Sequence, residues 1–167
     1  MIKTFNSLLV TMFGLGKVKF MPGTFGSLTT IIFLFYLFHV LNISSNIILI
    51  GWIIIFIYSF YAVSTHTESS KNKDPGEIII DEFLGQSIPI YLYEISHGTT
   101  KESELAITYY VLFFILFRYF DIMKPFPVSF FDKNFKNSFG VIMDDICAGF
   151  YVVLTLVCFM IVKSFVL

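Results

Sequence analysis

The chain has 167 residues, of which 56% are apolar, 19% aromatic and only 14% charged, and its formal charge is −1. A single domain of that length with so little charge cannot cover its apolar surface in water, so a soluble globular protein is excluded and lipid is the natural solvent for the excess. There is no basic run, which sets nucleic acid aside as a partner, because its phosphates demand clustered Lys and Arg.

In chain order, residues 1–20 carry Lys3, Lys17 and Lys19 and the Gly14/Gly16 pair, and lack the apolar core and cleavage site of a signal peptide. The expectation is a retained amphipathic segment on the membrane surface. The run Pro22-Gly23-Thr24-Phe25-Gly26-Ser27 follows. Its hydroxyls and exposed N–H groups can cradle a phosphate or ligate a metal, and helix capping by Ser27 is the plainer alternative.

Five apolar segments then succeed one another, at 27–41, 47–63, 78–93, 105–120 and 146–162. Each lies near the short end of the roughly 17–25 residues that a spanning helix needs. The third is the weakest, because Asp81 and Glu82 fall in its first turns and Pro89 interrupts it; it is expected to be tilted, broken or packed inside a bundle. The short polar stretch Asn42 to Asn46 reads as a tight antiparallel connection. The expected architecture is therefore all-α: one domain over 1–167, a membrane bundle of about five apolar helices, some short or broken, with an N-terminal surface segment. Cys147 and Cys158 read as small apolar residues within the last segment.

If the segments alternate in direction, nine of the eleven Lys and Arg residues fall on the side of the N-terminus, and Lys101 and Lys163 fall on the other. By the positive-inside rule that richer side is cytoplasmic. The acids Asp74, Glu77, Asp81, Glu82, Asp121, Asp144 and Asp145 gather there too, near the ends of the third, fourth and fifth segments. Carboxylates drawn together repel unless a cation intervenes, so a divalent metal is the natural counter-charge.

Asp74-Pro75-Gly76-Glu77 has the form of a helix start, with Asp74 and Glu77 either capping or lending oxygens, whereas capping explains Asp81 and Glu82 poorly. Asp121 and Lys124, three apart, share a face if their helix continues, and Pro125 and Pro127 stop it; the alternative is a local ion pair with Arg118 and Lys124 as interfacial anchors. Asp144 and Asp145 stand where the last segment begins, and only one of them can be a cap; Ala148 and Gly149 beyond them allow a neighbouring helix to come close. His39, His66 and His97 share no ligand spacing: His39 and His97 fall on the side opposite the acids, and His66 near a loop.

Together the runs PGTFGS (22–27), DPGEIIIDEFLGQ (74–86), FRYFDIMKPFPV (117–128) and GVIMDDICAG (140–149) resemble, in order and spacing, the motifs of the phosphatidylglycerophosphatase A family. The resemblance implies an enzyme hydrolysing phosphatidylglycerophosphate to phosphatidylglycerol and phosphate, with Mg²⁺ as cofactor, at the cytoplasmic face of a bacterial inner membrane. It implies Asp81, Glu82, Asp121, Asp144 and Asp145 as metal ligands, Asp121, Lys124, Asp144 and Asp145 as catalytic residues, and Thr24, Ser27 and Lys124 as substrate contacts. Asn137 and Ser138 stand where the family often has a glycine pair, which bears on the loop and not on the acids.

The expected mechanism is attack by a metal-activated water, with Lys124 holding the phosphoryl group and the acyl chains left in the bilayer beside the third and fifth segments. A covalent route through Asp121 or Asp144 is the variant. Two other classes compete. A CDP-alcohol phosphotransferase would need a D-G-x2-A-R run that is missing here, and a non-enzymatic metal-binding or scaffolding protein would not explain the pairing of acids with Lys124.

Overall fold

The computed structural model describes residues 2–68, 76–97 and 103–166. Asp74 and Pro75, half of the expected helix start, lie outside the described residues. Among the described residues the chain is helical and has no strand: α1 (Ile2–Val10), α2 (Pro22–Phe35, prolonged by a π-helical turn Tyr36–Val40), α3 (Ser45–Glu68), α4 (Ile80–His97), α5 (Ser103–Met123), α6 (Val128–Asn134) and α7 (Ser138–Val166).

Four stretches, Pro22–Val40, Ser45–Glu68, Glu104–Met123 and Ser138–Phe165, are long and apolar enough to cross a bilayer. Their outward faces are apolar: α3 exposes Ile47, Ile50, Ile54 and Ile57, which recur at helical spacing. The short, interrupted member of the expected set is α4, which contains Pro89 and begins with Asp81 and Glu82. Most of its residues are buried, and it packs chiefly against α7 and α2. An acid-bearing helix belongs in that central place, because hydrocarbon offers its charges no partner.

Glycine makes the α4/α7 contact possible. A Cβ on Gly85 would lie 2.3 Å from the Asp145 carbonyl oxygen, and one on Gly149 would lie 2.3 Å from the Gly85 carbonyl oxygen. The two backbones therefore touch directly, as small residues permit in membrane bundles. That contact brings the start of α4 beside the first turns of α7. Below it Ile90, Tyr110, Phe113, Phe117 and Val152 form one buried cluster; a second joins Val10, Val63, Leu84, Ile142 and Ile146.

The N-terminal segment is docked through polar contacts and an outward apolar edge. Asn6, buried, accepts a hydrogen bond from Tyr58 Oη at 2.7 Å and donates to Thr65 Oγ1 at 2.6 Å, which ties α1 to α3. Val10 O accepts from Ile79 N at 2.9 Å, and Ile2, Phe5 and Leu8 remain exposed.

Three local expectations are corrected. α4 begins at Ile80, so Glu77 is not in its first turn; its Oε1 instead meets His66 Nε2 at 2.8 Å, joining the end of α3 to the segment before α4. The run 22–27 is the first turn and a half of α2, entered through Met21 in left-handed conformation (φ 49°) with Pro22 in the first turn. Ser27 lies inside this helix, where its hydroxyl donates to Gly23 O at 3.1 Å, and so caps nothing. Finally, α7 starts at Ser138, eight residues before the expected apolar segment, so neither Asp144 nor Asp145 is a cap.

Candidate active site

Elements α2, α4 and α7 begin at one end of the bundle, where α5 ends, and a cavity of about 410 Å³ opens between them. Six carboxylates line it (Asp81, Glu82, Asp121, Asp132, Asp144 and Asp145) with three cations (Arg118, Lys124 and Lys136). The acids outnumber the bases two to one in a partly dry cleft, an arrangement that calls for additional positive charge.

Carboxylate oxygens of Asp81, Glu82 and Asp145 all lie within 4.8 Å of one another. Asp81 and Asp145 are 9% and 4% exposed. Glu82 Oε2 is buried with no hydrogen-bond partner. Behind Glu82 stands Gly23, where a Cβ would fall 2.1 Å from Oε1, so the first turn of α2 leaves just enough room for this carboxylate. Adjacent positions on one helix point about 100° apart, and this lets Asp81 and Glu82 converge on Asp145 from the α7 side. An all-oxygen donor set with an unpartnered, buried carboxylate oxygen fits a hard divalent cation such as Mg²⁺.

The remaining acids hold the cations. Arg118 Nη1 meets Asp121 Oδ2 at 2.8 Å, one turn apart on α5, and reaches Ser27 Oγ at 3.5 Å. Its Nε is buried without a hydrogen-bond partner. Lys124 Nζ donates to Asp132 Oδ1 at 2.7 Å and to Asp144 Oδ2 at 3.1 Å. Burial works against the Lys124 charge, but the hydrogen bond to Asp132 and the Asp144 charge outweigh it and hold the ammonium above the usual lysine range. The same hydrogen bond to Lys124 holds the Asp132 carboxyl below its usual range.

Of the expected site residues, Thr24, Asp81, Glu82, Asp121, Lys124, Asp144 and Asp145 all line the cavity. Ser27 does not; it is fully buried behind the wall, beside Arg118. The expected face shared by Asp121 and Lys124 is not formed. α5 ends at Met123, and Lys124 turns into left-handed conformation (φ 43°) with its N–H bonded to Phe120 O at 2.9 Å. Pro125 disfavours a helical residue before it, and the turn swings the ammonium away from Asp121 towards α6 and α7.

Asp132, Lys136 and the inward role of Arg118 were not foreseen. The i,i+3 spacing of Arg118 and Asp121 was a usable signal. Asp132 offered none, since it meets Lys124 across a proline turn that has no sequence period. His39 lies at the opposite end, bonded to Glu94 Oε1 at 3.2 Å, as its position in the chain implied.

The family model described as phosphatidylglycerophosphatase A matches residues 8–160. A Haemophilus influenzae protein named phosphatidylglycerophosphatase A is 35% identical over 147 residues, covering 88% of this chain and 83% of that one. A protein of the same name from Escherichia coli is 32% identical over 144 residues, covering 85% and 76%. A Bacteroides thetaiotaomicron protein, provisionally named a phosphatidylinositol-3-phosphatase, is 32% identical over 145 residues, covering 86% of each chain. No solved structure matches. With the family model spanning nearly the whole chain and the cavity built from the matched stretch, this chain belongs to the phosphatidylglycerophosphatase A family.

Proposed function

We propose that the protein hydrolyses the terminal phosphomonoester of phosphatidylglycerophosphate, with Mg²⁺, giving phosphatidylglycerol and inorganic phosphate. The observation that carries this reading is one cavity in which three converging carboxylates face Lys124 and Arg118, at the mouth of helices long and apolar enough to lie in a bilayer. Asp81, Glu82 and Asp145 would hold the ion, which when bound supplies Lewis-acid stabilisation of phosphate oxygens and a more acidic water.

The protein's own groups account for the rest. Lys124, fixed by Asp132 and Asp144, offers a point charge to the phosphoryl oxygens, and Arg118, fixed by Asp121, offers a planar one. Thr24 can donate its hydroxyl from the first turn of α2. Water attacks phosphorus while the bond to the glycerol oxygen breaks. Asp121 and Asp144 are the carboxylates placed to accept the water's proton and return it to the leaving alkoxide.

The active site is assigned to the cytoplasmic face of a bacterial inner membrane. Lys3, Lys17, Lys19, Arg118, Lys124, Lys133 and Lys136 belong to segments at the cavity end, and Lys163 belongs to the opposite end of α7. This asymmetry supports the orientation.

The test is phosphate release by detergent-purified protein from a panel of phosphatidylglycerophosphate, phosphatidylinositol 3-phosphate and phosphatidic acid. Turnover of the first at a kcat/KM at least about tenfold above the other two is expected. A preference for the inositol lipid would replace the substrate while keeping the chemistry, and no turnover of any would remove the enzymatic reading.

A further inference from the structure

Part of the cavity wall is apolar and exposed. Met21, at the entrance to α2, and Ile122, in the last turn of α5, both line the cavity, yet they are 50% and 65% exposed. Two residues that face a charged cleft and the outside together mark an opening. Each continues down its helix as an exposed stripe. Beyond Met21, Phe25, Leu28 and Ile32 recur along α2 at spacings of three and four, and Val111, Ile115 and Ile122 recur along α5 at four and seven. Such spacings keep each set on one face.

The two stripes flank a single seam. Ser27 and Arg118 meet across it at 3.5 Å, and further down Phe35 and Tyr110 have ring centroids 5.9 Å apart. Leu28 follows Ser27 on the outer side, and Val111 follows Tyr110 on the outer side. Both helices are long and apolar enough to cross the bilayer, so the seam lies against acyl chains. By contrast, α4 near the site is enclosed, with Ile80, Phe83, Leu84 and Gln86 buried, and it offers the lipid no face there.

We propose that the phospholipid enters the cavity sideways from the bilayer through the α2/α5 seam, its phosphate passing between Met21 and Ile122 while an acyl chain lies along Leu28, Ile32, Ile115 and Val111. This rests on the phospholipid phosphatase reading above. An amphiphile suits the path because its two halves find matching surfaces in continuity: apolar stripes outside, then Arg118 and Lys124 within. It also relocates the chains from the third and fifth segments, where the sequence alone had set them, to the seam between the first and fourth.

The experiment compares long-chain dioleoyl phosphatidylglycerophosphate in mixed micelles with its water-soluble dihexanoyl analogue, for the wild type, Leu28→Asn, Ile115→Asn and, as a control, Ile54→Asn on the lipid face of α3. The seam variants should lose about fivefold or more in kcat/KM on the dioleoyl substrate and less than about twofold on the dihexanoyl one. Ile54→Asn carries the same polar load in lipid and should leave both within about twofold. Equal losses on the two substrates, or an Ile54→Asn variant that reproduces the selective loss, would overturn the route while leaving the activity standing. If the wild type turns over neither substrate, the activity reading itself fails.

A second readout does not depend on turnover. The Asp144→Asn protein is irradiated with phosphatidylglycerophosphate carrying a diazirine in one acyl chain. Adducts within 21–32 and 111–122 are expected; adducts concentrated on α3 or the far half of α7 would contradict the seam.

Discussion

Lys124 is the residue on which the cationic side of the cavity depends. It is held by Asp132 on α6 and Asp144 on α7, and it leaves α5 in a backbone conformation that a non-glycine residue adopts only when its surroundings require it. Lys124→Gln is expected to lower kcat by about 100-fold or more, because a preorganised charge is lost where negative charge develops. Single-turnover kinetics with detergent-solubilised protein would measure it, and a loss confined to KM would assign Lys124 to binding alone.

Asp132 should act through Lys124. Its folded-state carboxyl titrates below the usual value of about 4, so its stabilising contribution is complete above that pH and is lost as pH falls through the folded value. The difference in melting temperature between the wild type and Asp132→Asn should therefore be present at pH 7 and shrink below about pH 4. A difference that stayed constant across that window would show that the ion pair contributes nothing to stability.

At this scale the sequence was informative about residue types and poor about partners. Asp81, Glu82, Asp144 and Asp145 stood out because ionised side chains beside apolar runs need a reason. A face shared by Asp121 and Lys124 required the helix to continue through Lys124, and α5 ends one residue short of it, although both side chains still line the cavity. Spacing arguments end where the helix ends, and Pro125 marked that boundary.

Among the elements, the α4/α7 pair sets the geometry of the acids. Asp81 and Asp145 are 64 positions apart and meet only because Gly85 and Gly149 let two backbones touch. A methyl group at either glycine must push the helices apart. Gly149→Ala should cost about 1–3 kcal/mol of stability through overpacking, and it should reduce activity more than surface substitutions do by moving Asp145 away from Asp81 and Glu82. Thermal unfolding in detergent together with turnover would check both; full activity and unchanged stability would mean that the contact is looser than described. Ala148 and Gly149 were readable as a close-approach site, but the partner helix was not, because small residues announce proximity without naming what comes near.

The element boundaries show the same limit. The last apolar segment was expected from residue 146, but α7 begins at Ser138, so the two acids lie about two turns into it. Hydrophobic runs find the part of a helix that lies in lipid or core. A pair of acids cuts such a run short, so the largely apolar residues 138–143 ahead of Asp144 and Asp145 go unread as helix.

At the scale of the whole molecule, composition alone was enough to identify a membrane bundle, since so apolar a chain has no soluble solution. Alternation of the spans gathers the acids on one side of the membrane, and the joint resemblance of four distant runs to a family ties them to one site, but neither gives the contacts inside the cavity. No local pattern relates residue 23 to residue 82, yet Gly23 abuts the Glu82 carboxylate. The proposed orientation yields a further expectation. In inside-out and right-side-out vesicles, a cysteine placed at Lys136 in a chain lacking Cys147 and Cys158 should react with an impermeant maleimide only from the cytoplasmic side. Reaction from the outer side would invert the topology.

The central claim is that Asp81, Glu82 and Asp145 hold a divalent cation needed for phosphomonoester hydrolysis. It is tested most directly by phosphate release from phosphatidylglycerophosphate as Mg²⁺ is titrated into chelator-treated protein, for the wild type and Asp145→Asn in parallel. The account predicts saturable recovery of activity in the wild type and, in the variant, loss of about 100-fold or more in kcat or a strongly raised Mg²⁺ requirement. Full turnover of the wild type in chelator, or an Asp145→Asn protein indistinguishable from it, would contradict the account.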